Sequence, residues 1–253
     1  MIDLHSHVLH DLDDGPETLA GAVAIVAAMA ADGVTAVAAT PHVRDDWPEV
    51  TPARRDARLA ELRAALAAAG VAVEVLPGGE IALDALPGLS AAERGAFGLG
   101  GNPNLLLLEF PYWGWPLALA ETVFRLRLEG DTALIAHPER NLEVQDAPER
   151  LEPVVRAGGL VQLTAASVDG RLGRRAQETS RRLLERGLAH VVASDAHTAD
   201  IRAAGLARAV REVGEPLGRW LTLDVPAALL AGEPLPPRPD ARSGRLRLRR
   251  RTL

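Results

Sequence analysis

Two histidines at i and i+2, His5 and His7, close a short apolar run at the start of this 253-residue chain, and an acidic stretch, Asp11-Leu12-Asp13-Asp14-Gly15-Pro16, follows at once. At the carboxyl end of a strand, such a pair can be splayed by the pleat or by a bulge so that both rings grip one metal ion. Neutral imidazole is the commonest metal ligand. Taken alone, His-x-His is an ordinary way for a strand to end. It gains force here because later apolar runs also stop at ligand-type residues: His42, Glu80, Glu109, His137, and Asp195 with His197.

Those runs define the elements that must position the chemistry. Strands are expected at Met1–Leu4, Val34–Thr40, Val71–Leu76, Leu105–Leu108, Thr132–Ala136, Leu160–Leu163 and His190–Ala193. Helices are expected at Glu17–Asp32, Thr51–Ala69, Ser90–Phe97, Trp115–Glu129, Pro148–Ala157, Arg174–Arg186 and from about Asp200 to Val213, with Pro16 as a start and Gly33 and Gly70 as stops. After Trp220 the periodicity fades. Strands that do not alternate apolar and polar residues are covered on both faces, which means a parallel sheet with helical crossovers. Seven such units suggest a single-domain α/β barrel of irregular closure. In a barrel, the strand carboxyl ends converge on one face, where active sites lie. His5, His7, Asp14, His42, Glu80, Glu109, His137, Asp195 and His197 would then share one mouth, five of the seven histidines among them. Asp13 can fill the acidic position as well as Asp14; Asp14, directly before the Gly-Pro turn, is preferred. His190 opens its strand at the far end and is read as structural, and His10 as a residue of the site rim.

Composition removes other chemistries. There is no cysteine, hence no thiolate nucleophile, disulfide or thiolate zinc site. All 28 basic residues are arginine, so Schiff-base chemistry, a P-loop lysine and a lysine-bridged metal pair are excluded. A net charge of −6 gives no sign of general nucleic-acid binding. The apolar run Leu19–Ala31 is too short to span a bilayer. With no basic stretch before it, a cytoplasmic protein with an unprocessed N-terminus and no stable membrane insertion is expected.

The motifs HSH, DDGP, TPH, PGGEI, LLEFP, AHPERN and ASDAH run in this order through residues 3–197. In these the chain resembles the PHP (polymerase and histidinol phosphatase) superfamily, and within it the manganese-dependent protein-tyrosine phosphatases of capsule and exopolysaccharide loci. The resemblance extends to Gln162-Leu163-Thr164, Gly170-Arg171-Leu172-Gly173 and Arg202. It implies a distorted (β/α)7 TIM-like barrel of the PHP fold over residues 1–232, carrying three divalent ions, Mn2+ with Fe or Zn as alternatives. By motif, His5, His7, Glu80 and Asp195 would hold one ion. Glu80 would bridge to a second, completed by Glu109 and His137, and Asp14, His42 and His197 would hold the third. The implied substrate is a phosphotyrosine protein, in particular a membrane-associated bacterial tyrosine kinase of polysaccharide export. A histidinol-phosphate phosphatase and a non-catalytic metal-binding module are the competing readings.

The residues support phosphate chemistry in their own right. Three divalent ions against four carboxylates leave about +2, a site suited to a dianionic phosphate ester. Coordination can lower the pKa of water from about 15.7 to about 7, which supplies a nucleophile without cysteine. Arg140 and Arg202 each follow a candidate histidine by a few residues and are expected to clamp phosphate; the alternative for Arg140 is an ion pair with Glu139 or a nearby carboxylate. Phe110, Tyr112, Trp113 and Trp115 hold half of the eight aromatic residues. They form either a wall for a phenyl ring or the packing of the next helix. Residues 233–253, rich in proline and arginine, read as a disordered tail, or as a polybasic segment that visits anionic lipid or an acidic partner.

Overall fold

The computed structural model describes residues 1–199 and 205–239. Nine short strands lie among the described residues: β1 (Ile2–Asp3), β2 (Ala36–Ala39), β3 (His42–Val43), β4 (Glu74–Pro77), β5 (Glu80–Ala82), β6 (Leu105–Glu109), β7 (Thr132–Ala136), β8 (Leu160–Thr164) and β9 (Val191–Ala193). All pairings are parallel, in one sheet of order β1-β2-β4 and another of order β3-β5-β6-β7-β8-β9. The expected α/β architecture with helical crossovers is present.

Nine strands stand where seven runs were expected because two runs break as they near the site. Pro41 cannot donate to a ladder, so the chain that makes β2 resumes as β3 one step later. Gly78 and Gly79 separate β4 from β5. A Cβ on Gly79 would lie 2.7 Å from the Phe97 ring, so only glycine lets the backbone pass beneath that side chain. Both breaks aim the next residue, His42 or Glu80, inward, and the two pair in register across β3 and β5. The segment after β1 lies between β2 and β9. Thr40 N donates to Ser6 O (2.8 Å), Asp195 N to His5 O (2.9 Å) and His7 N to Ala196 O (2.8 Å).

The core runs through the strands and the inner faces of the helices. Leu105–Leu108 are buried completely, and each leucine contributes about 1.5–3 kcal/mol of gross burial free energy. Thr18 caps helix Leu19–Ala31, Thr51 caps Pro52–Ala68 with proline in the first turn, and Ser90 with Glu93 forms a capping box on Ala91–Gly95. The helix expected from Trp115 begins only at Leu119, because Gly114 adopts φ +79° and the chain passes through irregular residues 115–116 and a turn at 117–118. The stretch expected as one helix, Pro148–Ala157, is a 3-10 turn followed by helix Glu152–Arg156. Beyond Trp220 the chain stays helical as far as Ala231 although its periodicity is weak, since Leu221, Val225 and Leu229 are all buried. The expected helix start near Asp200 falls outside the described residues; helix Leu206–Val213 follows.

Candidate metal centre

Every expected ligand comes from a strand end or the loop after it, and all nine reach one region. His5, His7, Glu80, His137 and Asp195 are almost fully buried, and His42, Glu109 and His197 nearly so; the Asp14 side chain is half exposed. Glu80 is the centre of the group. Its Oε2 lies 3.4 Å from His5 Nε2, 3.4 Å from His7 Nε2 and 3.0 Å from His42 Nδ1, while its Oε1 lies 3.0 Å from His137 Nε2. Asp195 Oδ1 stands 3.5 Å from His5 Nε2 and 3.6 Å from His7 Nε2. On the outer side, Asp14 Oδ1 lies 3.1 Å from His197 Nε2 and 3.5 Å from His42 Nε2. Three sets of donor atoms fall within 4.8 Å: His5, His7 and Glu80; His42, Glu80 and Glu109; and His7, Asp14, His42 and His197. His42 thus stands between two sets, one nitrogen towards each, whereas motif alone assigned it to the outer set. Asp14 faces the cluster, and Asp13 lies behind it against His7 Nδ1.

The imidazoles are held by the nitrogen that faces away from the cluster. His7 Nδ1 lies 2.7 Å from Asp13 Oδ2, His5 Nδ1 3.0 Å from Gln162 Oε1 and His197 Nδ1 2.9 Å from the carbonyl of Asp195. Each contact assigns the proton to Nδ1 and leaves the Nε2 lone pair directed inward, the arrangement of metal-binding histidines. Asp13 also accepts from the backbone N–H of His42 and of Gly15, each at 3.0 Å. His137 Nδ1 is buried without a hydrogen-bond partner, and Glu80 Oε2 and His42 Nδ1 face each other at 3.0 Å without forming a hydrogen bond. A buried polar atom left so costs about 1–3 kcal/mol. The donors are imidazole nitrogens and carboxylate oxygens, as Mn, Fe and Zn prefer, so the residues present fit divalent cations.

Electrostatics agree. Burial penalises a charged Glu80, yet His5, His137 and His42 hold its carboxyl well below the usual range. Asp195, equally buried, is lowered by His5, His137 and Arg140. Burial likewise opposes charge on His7, but Asp13 and Glu80 raise it well above its ordinary value, and Glu109 and Glu80 raise His42 to about 9. Backbone strain is present too: His137 (φ 36°) and Asp195 (φ 53°) are left-handed non-glycine residues, a conformation that costs about 1–3 kcal/mol and collects at functional sites.

The Arg140 guanidinium lies beside the cluster, 2.5 Å from Asp195 Oδ2 and 4.7 Å over the Tyr112 ring. Its acidic partner is therefore Asp195; Glu139 is buried elsewhere, accepting from Thr164 N at 3.0 Å. Arg202 falls outside the described residues. Phe110 is buried edge-on to Trp115 (5.8 Å), whereas Tyr112 stacks at 5.9 Å on His137 and Trp113 is 74% exposed. His10 pairs with Glu61 (3.0 Å). His190 accepts from Val161 N (3.2 Å) at the far end of β9, a structural position.

Sequence reasoning missed Arg44, whose guanidinium reaches both Glu109 oxygens at 3.2 and 3.3 Å, and the His-orienting parts of Asp13 and Gln162. Gln162 left a signal as the one amide inside the apolar run Leu160–Leu163, and Asp13 as one of two candidates for the acidic position.

A family model described as capsular polysaccharide synthesis, CpsB/CapC, matches residues 1–227. Tyrosine-protein phosphatase YwqE of Bacillus subtilis (strain 168) is 33% identical over 202 residues, covering 80% of this chain and 79% of that protein. Tyrosine-protein phosphatase CpsB of Streptococcus agalactiae serotype III (strain NEM316) is 25% identical over 226 residues, covering 87% and 92%. Among solved structures, one from a crystallographic study of YwqE from B. subtilis and CpsB from Streptococcus pneumoniae, described as unique metal-dependent tyrosine phosphatases, superposes with a TM-score of 0.82 at 30% identity. It covers 95% of this chain and 99% of the other.

Proposed function

The chain belongs to the CpsB/CapC family, and we propose that it is a metal-dependent phosphatase that removes phosphate from protein phosphotyrosine. The observation that carries this reading is the buried Glu80 carboxylate, shared by His5, His7, His42 and His137, with Arg140 at the edge of the group. The body of the chain, residues 1–232, is read as a distorted (β/α)7 barrel acting in the cytoplasm.

His5, His7, Glu80 and Asp195 are assigned to one ion, Glu80, Glu109 and His137 to a second, and Asp14, His42 and His197 to a third. Mn2+ is the ion assigned, with Fe and Zn as the alternatives that metal analysis would reveal. When bound, such ions supply a hydroxide nucleophile near neutral pH and offset phosphate charge. The protein's own groups do the rest. Asp13, Gln162 and the Asp195 carbonyl hold three imidazoles in the ligating tautomer. Arg140, and Arg202 with it, bind the phosphoryl oxygens and meet the charge that grows on them in the transition state. The Tyr112 phenol ring, flat against His137 and beneath Arg140, offers an aryl group a surface beside the phosphate position.

A phenol has a pKa near 10, so its phenolate departs with little help from a general acid, whereas an alkoxide needs a positioned proton donor. His10 is tied to Glu61, and the other histidines near the site belong to the cluster. The site should thus prefer phosphotyrosine to phosphoserine or histidinol phosphate. The partner that fits is a phosphotyrosine protein of the capsule machinery, a membrane-associated tyrosine kinase above all. A kcat/KM comparison of the three substrates with Mn2+ tests the reading, and a clear win for histidinol phosphate would replace it.

A further inference from the structure

We propose, resting on the phosphotyrosine reading above, that Trp113 and Leu142 at the rim of the metal cluster take up an apolar residue next to the phosphotyrosine of the substrate protein, and so select among phosphotyrosine sites. Six large apolar side chains are exposed among the described residues: Tyr112, Trp113, Leu117, Phe124, Leu128 and Leu142. Five of them lie within residues 112–128. The sixth, Leu142, is hydrogen-bonded to that segment, its N–H donating to the Tyr112 carbonyl at 3.0 Å. Residues 110–120 hold no charged side chain, although 25% of the chain is charged. Exposed apolar groups gathered in one region, rather than scattered singly, mark a surface that meets a partner.

The segment is braced beside the cluster. Tyr112 stacks on His137 at 5.9 Å with the Arg140 guanidinium 4.7 Å from its ring, and Trp113 is the next residue. The buried Asn141 donates from Nδ2 to the carbonyls of Pro111 (2.7 Å) and Gly114 (3.0 Å), while Gly114 N donates to Glu143 Oε1 (3.0 Å). The turn that carries Trp113 is thereby tied on both sides to residues 141–143, which directly follow Arg140. An exposed indole on a braced turn loses little freedom when a partner covers it, the property that makes rigid aromatic residues good anchors. A phosphotyrosine whose ring lies on Tyr112 brings its backbone out over this rim, and its neighbours follow at about 3.8 Å per residue, within reach of Trp113 and Leu142. Elsewhere the rim is charged: the Asp14 side chain is half exposed, and Arg44 pairs with both Glu109 and Asp46. The uncharged side is therefore the one that gains by removing an apolar neighbour from water.

Two phosphotyrosine peptides of equal length and charge, one with leucine and the other with serine on both sides of the phosphotyrosine, test this on the full chain with Mn2+. The parent should favour the leucine peptide by about tenfold in kcat/KM, through a lower KM, because the contact is made equally in ground and transition states. Trp113→Ser combined with Leu142→Ser should bring that ratio to about one. Both side chains are exposed, so the fold tolerates the change. A ratio near one in the parent, or a preference that survives both substitutions, overturns the proposal. So does a parent chain that sediments as a dimer dissociated by Trp113→Ser, which would give this surface to a second copy. Para-nitrophenyl phosphate, which has no neighbouring residue, separates this proposal from the phosphatase reading. Its turnover by the parent with a peptide ratio near one removes the docking surface alone; no turnover of it or of either peptide removes the phosphatase reading as well.

Discussion

Asp13 Oδ2 sits 2.7 Å from His7 Nδ1, and both side chains are buried, so a carboxylate behind the cluster fixes the ring of a residue in front of it. Because Asp13 also accepts from the backbone of His42 and Gly15, it ties the first loop to β3. Asp13→Ala should lower metal affinity about 10–100-fold, the usual effect of losing a carboxylate that orients a ligating histidine. Asp13→Asn, which keeps an acceptor, should recover part of that loss. Metal titration of the two variants, with circular dichroism to verify the fold, gives the answer; equal affinities for Asp13→Ala and the parent chain would remove Asp13 from this role.

Glu80→Ala should abolish turnover, by more than about 10³-fold, and reduce bound metal, since one carboxylate meets four imidazoles. His10→Ala, which loses only the contact with Glu61, should stay near the parent activity. Full metal occupancy in purified Glu80→Ala would contradict its assigned place.

Arg140→Ala should lower kcat/KM for an aryl phosphate by about 100-fold with metal content retained. Arg140→Lys should recover little, because lysine cannot reproduce both the contact to Asp195 and the flat stack on Tyr112. If Arg140→Ala loses metal in step with activity, the arginine serves Asp195 rather than substrate.

His190 carries a pH prediction away from the cluster. Burial, with Arg238 nearby, lowers its pKa to about 4, against an ordinary 6.5. Between those values the unfolded chain binds a proton that the folded chain refuses, so stability falls as pH drops from about 6.5 to about 4. The slope from this one group approaches about 1.4 kcal/mol per pH unit. Denaturant melts in chelator should therefore lose stability more steeply for the parent chain than for His190→Gln across that window. Parallel curves would place the histidine's pKa near its ordinary value.

Much of this site is legible in the sequence because apolar runs stop at the residues that matter. Val-Leu-Ile stretches need two covered faces, so their ends locate a mouth, and His5, His42, Glu109, His137 and Asp195 mark it. The breaks at Pro41 and Gly78-Gly79 are less legible: composition shows that a run ends, but not that the chain resumes pairing one step later. Arg44 was invisible because an arginine after a strand is usually a solvated residue, and only the fold brings it to Glu109, 65 residues away. The helix Val225–Ala231 escaped notice since burial, rather than periodicity, holds it.

The central claim is that bound metal drives phosphotyrosine hydrolysis at the Glu80 cluster. Its most direct test is turnover of a phosphotyrosine peptide by the purified full chain, after chelation and again after Mn2+ is restored. Activity should vanish with chelator, return with Mn2+ and exceed that on the matching phosphoserine peptide. Turnover that persists in the metal-free protein would contradict the account.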